Sequence, residues 1–311
     1  MTTMCAEQRT ESLIIHDGRS RFATIGVCWP TAPGFGARHA TYLRRYVQSV
    51  VVADHDKLEP VSIEWTGEGD VACLTAVLPE RIAVAWTGIV VGGLDLEAAG
   101  LSGAPTVGVV ARPGVASDLG DLVSVSSFSA SESLPSSLRR STAHGHEQIV
   151  IVGRDPSRDV GAAATFLAVC LIAAGPGALV PSVVEAANIG ATVQFARVLR
   201  AGFPALSWTT TAPGEKCQAT FDLILSAVAR SNIANDVDAR ARARAFAAGN
   251  LNRAWRSPIE LARTLVLYEA RGWGGSLILN PDAALAGVDA MQLERAIAGI
   301  VRPINEVLGR T

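Results

Sequence analysis

The residues able to do chemistry are few, and most stand alone. Histidine occurs at His16, His39, His55, His144 and His146. A zinc site needs imidazoles or carboxylates converging on one ion, often seeded by two ligands one helical turn apart. One turn beyond His39 stand Tyr42 and Leu43, neither an ordinary zinc ligand. His144-Gly145-His146-Glu147 is the one histidine cluster. It could capture a metal if it were strand-like with both rings on one face; the competing reading is a solvated loop. His55, between Asp54 and Asp56, reads as a turn residue.

Other nucleophiles and phosphate cradles fare no better. Cys5, Cys28, Cys73, Cys170 and Cys217 are odd in number and never form a CxxC pair, so they read as small hydrophobes in a reducing compartment. Serines crowd residues 124–141, yet no G-x-S-x-G elbow occurs. Gly175-Pro176-Gly177 lacks the lysine and spacing of a phosphate loop, and its proline removes an amide, so it reads as a helix stop. Arg240, Arg242, Arg244, Arg253 and Arg256 wrap round their segment instead of lining one face, as a solvated surface would. No catalytic, cofactor-binding or metal-ligating residue is assigned, and no cofactor is expected.

Composition narrows the class. The 311 residues are 49% hydrophobic and 18% charged, enough for a sizeable core, which excludes a disordered or fibrous chain. Lysine plus arginine number 27 against 29 acids, a net charge of -2, which excludes a general nucleic-acid binder. Only Lys57 and Lys216 are lysines. Mean hydropathy is high at +0.29, but the apolar runs 84–101 and 160–180 are broken by Gly92-Gly93 with Asp95 and by Gly175-Pro176-Gly177. Neither gives the ~20 unbroken apolar residues of a membrane span. The first residues, MTTMCAEQRTE, are polar, so no signal peptide is expected and the setting reads as cytoplasmic.

The elements that would position these residues fall into two similar series. Arg21 to Trp29 reads as a strand, Ala37 to Val52 as a helix, and Val61 to Trp65 with Val71 to Leu78 as a hairpin about Gly67-Glu68-Gly69-Asp70. A helix from Arg81 to Val91 follows Pro79-Glu80. The serine-rich stretch then marks a linker, residues 124–147, expected to be the most protease-sensitive part of the chain over 124–141. From Gln148 the pattern restarts: a strand to Gly153, a helix from Arg158 to Ala174, and a second from Ala178 to Asn188 stopped by Gly190. Strands Thr192 to Val198 and Ala205 to Thr210 follow, then helices from Glu215 to Ala229, Asp236 to Asn250 and Ser257 to Arg271. Ser257 and Glu260 have capping-box spacing. A last helix runs from Asp289 to Ile300, with a short tail from Pro303 to Leu308. The reading is α+β: an N-terminal domain over 1–123, the linker, and a C-terminal domain over 148–311, each a mostly antiparallel sheet packed with helices.

Several passages carry a family resemblance by their order: QIVIVGRDPSRDV, APGEKCQATFDLILSAVA, ARAFAAGNLNRAWRSPIELARTLVLYEARGWG and MQLERAIAGIVRPINEVLG. Together they resemble the C-terminal domain of the pitrilysin/insulinase-like zinc peptidases, the inverzincins, in the half-size type related to mitochondrial processing peptidase. The last passage is similar to that family's closing helix and final strand. FATIGVCWPTAPGFGARHATYLRRY falls where the family has its first strand and the helix bearing H-x-x-E-H. Aligned on Gly36, His39 matches the first zinc ligand, Tyr42 replaces the water-activating Glu, and Leu43 replaces the second ligand. The family's substrate-holding Arg and Tyr fall near Val184 and Ala191, and Glu185 matches an acid beside that Arg.

Without zinc, the helix has nothing to polarise a carbonyl or activate water. The resemblance therefore implies a pseudo-peptidase. It would be a non-catalytic subunit of a metalloendopeptidase, paired in a hetero-oligomer with an intact H-x-x-E-H homologue and helping to hold a peptide. Leader removal in a bacterial peptide natural-product pathway is a setting that the analogy suggests. The alternative is a peptide-binding or scaffold protein without a protease partner. Neither nucleic acid nor membrane is expected as a partner.

Overall fold

A computed structural model describes residues 13–18, 20–31, 36–54, 58–68, 71–92, 105–123, 135–200, 203–214 and 216–309. The fold is α+β. It divides into two compact units, Met1–Ser129 with Leu199–Phe203 and Asn252–Leu279, and Ala130–Val198 with Pro204–Leu251 and Asn280–Thr311.

The first unit is built on five strands: β1 (Ile14–His16), β2 (Phe22–Pro30), β3 (Ser62–Glu68), β4 (Val71–Pro79) and β5 (Thr106–Ala111). They lie in the order β1-β5-β2-β4-β3, antiparallel except for the β1–β5 pair. Helices α1 (Gly36–Asp54), α2 (Glu80–Gly92) and α3 (Pro113–Asp118) come from the same stretch, and α9 (Pro258–Ala270) arrives from far down the chain.

Register shows that both faces of this sheet are covered. Gly67 pairs with Ala72, which pairs with Trp29 on the same face, and an added Cβ at Gly67 would meet the Gly36 carbonyl at 2.6 Å. That is the α1 face. Gly26 and Gly108 pair with each other on the opposite face, and a Cβ at Gly26 would meet the Ala262 carbonyl at 2.7 Å. That is the α9 face. The glycines are there because helix backbone runs close over the sheet. Sandwiched so, β2 is buried at eight of its nine positions and β5 at all six. Such strands read as continuous apolar runs.

The second unit has four strands, β6 (Ser137–Ala143), β7 (His146–Arg154), β8 (Thr192–Arg200) and β9 (Phe203–Pro213), in the order β6-β7-β9-β8. Its helices are α4 (Ser157–Val160), α5 (Ala162–Val169), α6 (Leu179–Ala187), α7 (Lys216–Arg230), α8 (Val237–Asn252), α11 (Pro281–Ala286) and α12 (Ala290–Val307); a short α10 (Ser276–Leu279) belongs to the first unit. Here one face is covered. Ile149 and Ile151 of β7 pair with Thr210 and Trp208 of β9, all buried, and the Trp208 indole donates to the Ile300 carbonyl of α12 at 3.0 Å. Gly153 leaves the space that the Pro303 ring of α12 occupies. The alternate residues Val150, Val152, Ser207, Thr209 and Thr211 are only half-buried, and Gln148 is exposed.

Several sequence expectations need correction. The segment read as linker, 124–147, contains β6 and the hairpin turn into β7. An edge strand needs backbone pairing, not apolar side chains, and β6 is mostly exposed; residues 124–134 lie outside the described residues. The C-terminal domain read over 148–311 gives Asn252–Leu279 to the first unit, because the apolar side of α9 buries against β2, β4 and β5. The helix read over Arg158 to Ala174 is α4, then Gly161 at φ 94°, then α5 running into a π-helical turn, Cys170–Ala174. The final strand or tail is helix. The spacing Leu293, Ile297, Ile300, Ile304 carries α12 through Pro303, with Gly299 four residues before the ring, where a proline crowds the backbone. Its start is a full capping box between Asp289 and Gln292. Strands β1 and β5 and helices α3, α10 and α11 have no counterpart among the elements expected from the sequence.

The apolar segment Ala162–Ala187 is long enough by composition to cross a membrane, with hydropathy 2.1, and half of that window is buried inside the protein.

Candidate functional site

Four places carry residues of interest, and each is built from its own elements. The first is α1. It packs on β3 and β4 through Ala40, Leu43 and Val47, all buried, at the i, i+3, i+7 spacing of one helical face. His39 is half-buried on the first turn. Leu43 is 0% exposed and Tyr42 46% exposed. The position that the resemblance gives to the second ligand is thus a core residue, and the position it gives to the water-activating acid is a surface aromatic. Burial, and then the neighbouring Tyr42 phenol, push the Tyr46 phenol up. A catalytic zinc takes three protein ligands, and this helix offers one nitrogen. Among the described residues no three His, Cys, Asp or Glu side chains come together. The residues present do not fit the metal.

The second is the α6 region. Val184 is buried, Glu185 is exposed, and Ala191 follows the helix end. Asn188, left-handed at φ 48°, caps α6 before Gly190, which had been read as the stop. Neither position that the resemblance aligns with the substrate-holding residues offers a guanidinium or a phenol.

The third is the β6–β7 hairpin. His144 and Gly145 have φ of 53° and 75°, the two positive values of a type I′ turn. Both histidine rings are exposed, and the His146 ring nitrogen Nδ1 lies 3.2 Å from the His144 carbonyl. The pair is the tip of a hairpin, with no third ligand beside it among the described residues. His55 and Cys5 lie outside the described residues; His16 is in β1.

The fourth went unseen in the sequence. Just past β7, the buried Asp155 carboxylate accepts from the Ser157 amide at 2.8 Å and from the Ser157 hydroxyl. Arg197 of β8 grips it with both Nε, at 2.8 Å, and Nη2, at 3.3 Å, and also donates to Ser157 Oγ. Both side chains of the ion pair are nearly solvent-free. Their separation of 42 positions leaves no local signal. Cys170, in the π-turn, feels the Arg197 charge; burial nevertheless pushes its thiol from the ordinary 9.0 to about 12. The Cys217 thiol is also raised, by burial and then by Glu147; it donates to the carbonyls of Glu147 and Thr210. Neither thiol is an activated nucleophile.

No protein-family model matches this sequence, and no curated protein does. Solved structures do. A protease from Helicobacter pylori superposes with a TM-score of 0.57 at 7% identity, covering 92% of both chains. The inactive domain of an M16 peptidase from Pseudomonas fluorescens gives 0.54 at 9%, again with 92% of both covered. The fold is pitrilysin-like. The periplasmic protease PqqL of Escherichia coli gives 0.55 at 10%; there 91% of this chain corresponds to 42% of that one. At such identities the likeness speaks for the pitrilysin-like fold, while the chemistry must be read from this chain's own residues.

Proposed function

We propose that this pitrilysin-like chain is a non-catalytic subunit of a heterodimeric metalloendopeptidase, pairing with an intact H-x-x-E-H homologue and helping to hold the peptide. The observation that carries the reading is Leu43, sealed in the core where a second ligand would have to stand. The same fold occurs in a structure described as an inactive M16 domain, which supports a life for this fold without catalysis. Cytoplasmic maturation of a bacterial peptide natural product is the setting proposed.

Two measurements test it. Purified protein should hold no stoichiometric zinc; about one zinc per chain by elemental analysis would redirect attention to His39, His144 and His146. Co-expressed with a neighbouring intact homologue, the chain should co-elute in size-exclusion chromatography as a stable complex. Separate elution would remove the subunit reading and leave the peptide-binding scaffold in its place.

A further inference from the structure

A groove of about 520 Å³ runs between α7 and α12 in the second unit, within the size range of ligand pockets. Its apolar part is formed by Leu225, Val228, Ile233, Ile297 and Val301. The charged residues lining it are Asp222 and Glu294; no lysine or arginine does. The rim is tied down: the Asn235 amide donates to Asn232 Oδ1 at 2.7 Å and to Glu294 Oε1 at 2.8 Å. Sequence explains the groove. Helix α12 turns Leu293 and Ile300 fully inward, while Ala298, one position round the helix from Ile297, leaves the flank low. On the other flank of α12 a second cavity, about 560 Å³, is lined by Asp159, Arg295 and Arg302 and shares Ala298 and Asn305 with the first. That second cavity is of mixed charge, with Asp159 in its lining and Arg302 paired with Glu306 at 3.5 Å, whereas the charged groups lining the first are acids.

We infer that this groove binds a peptide segment that sets a basic side chain among aliphatic ones. An aliphatic stretch covers the floor, removing apolar surface from water on both partners. The cationic group meets the Glu294 and Asp222 carboxylates. A groove between two helices is a common seat for such segments. The site acts on the isolated chain and does not require the pairing proposed above.

The test uses the full chain and a fluorescein-labelled heptapeptide with one arginine among leucine, valine and alanine, read by fluorescence anisotropy. A control peptide carries glutamate in place of arginine, and a third probe is N-acetyl-arginine amide. The arginine peptide should bind saturably, more tightly at low salt, and at least tenfold more tightly than the glutamate peptide. Glu294→Lys, at an exposed position, should weaken it about tenfold, the loss of one charged contact. Ala298→Trp should abolish binding by filling the groove, with circular dichroism confirming the fold. Absence of saturable binding, or equal affinity in wild type and Glu294→Lys, overturns the inference. So does N-acetyl-arginine amide binding as tightly as the peptide, which would make the site one for a small cation. Failure here leaves co-elution with the homologue untouched, so the two readings fall separately.

Discussion

The two sheets of this molecule are built to different rules. In the first unit, helices cover both faces, and glycines at Gly26, Gly67 and Gly108 let helix backbone come close. In the second, α12 covers one face, and rows of Val, Ser and Thr on the other remain half-buried. The first sheet is held between helices, and its Arg263–Glu64 and Arg112–Glu80 ion pairs lie partly exposed. The second adds a buried ion pair, Asp155–Arg197, at the place where β7 gives way to α4. A double-covered sheet exposes little of either face, whereas the second leaves one face half-buried.

The largest expected effect strikes the second unit. Asp155→Ala leaves Arg197 buried without its carboxylate and should destabilise by about 3–5 kcal/mol, read by urea unfolding. A loss under 1 kcal/mol would mean that packing, not the ion pair, orders that turn. Next comes Gly26→Ala, which forces a Cβ towards the Ala262 carbonyl and should cost about 1–3 kcal/mol. If it is neutral, α9 does not lie close over β2 and the double covering fails.

The buried thiol gives a pH dependence. Its folded value, about 12, lies above the ordinary 9.0, so its contribution to stability is whole below pH 9 and falls as pH rises from 9 towards 12. At pH 9 the native Cys170 thiolate fraction should be roughly five hundredfold below that of an ordinary thiol. Alkylation by iodoacetamide, followed by mass spectrometry, should therefore be slow in the native protein and fast after unfolding. Rapid native alkylation would show that this region opens to solvent. The smallest effect belongs to the open face: Thr209→Lys should change stability by less than about 0.5 kcal/mol. A cost like that of Gly26→Ala would show that something covers this face.

The same contrast explains what the sequence let through. Helices with a stop or a cap were legible: Gly175-Pro176-Gly177 ends a helical run, and Ser257 accepts from the Glu260 amide at 3.1 Å, as its spacing implied. The reading of His39, Tyr42 and Leu43 against the zinc motif rests on residue identity alone; the structure adds that Leu43 is buried and Tyr42 exposed. Strand β5 was not legible, since a six-residue run buried on both faces has no alternation to show. The edge strand β6 was hidden for the opposite reason, its polar residues resembling a loop. The Asp155–Arg197 pair and the α7–α12 groove join residues tens of positions apart, and no spacing rule reaches them.

The central claim is that this chain supplies no chemistry and supports that of another. It is tested most directly by titrating it into a fixed amount of the intact homologue and measuring cleavage of that enzyme's peptide. The account predicts that this chain alone cleaves nothing and that the homologue's kcat/KM rises to a plateau at one equivalent. An unchanged kcat/KM throughout the titration, or cleavage by this chain alone, would contradict it.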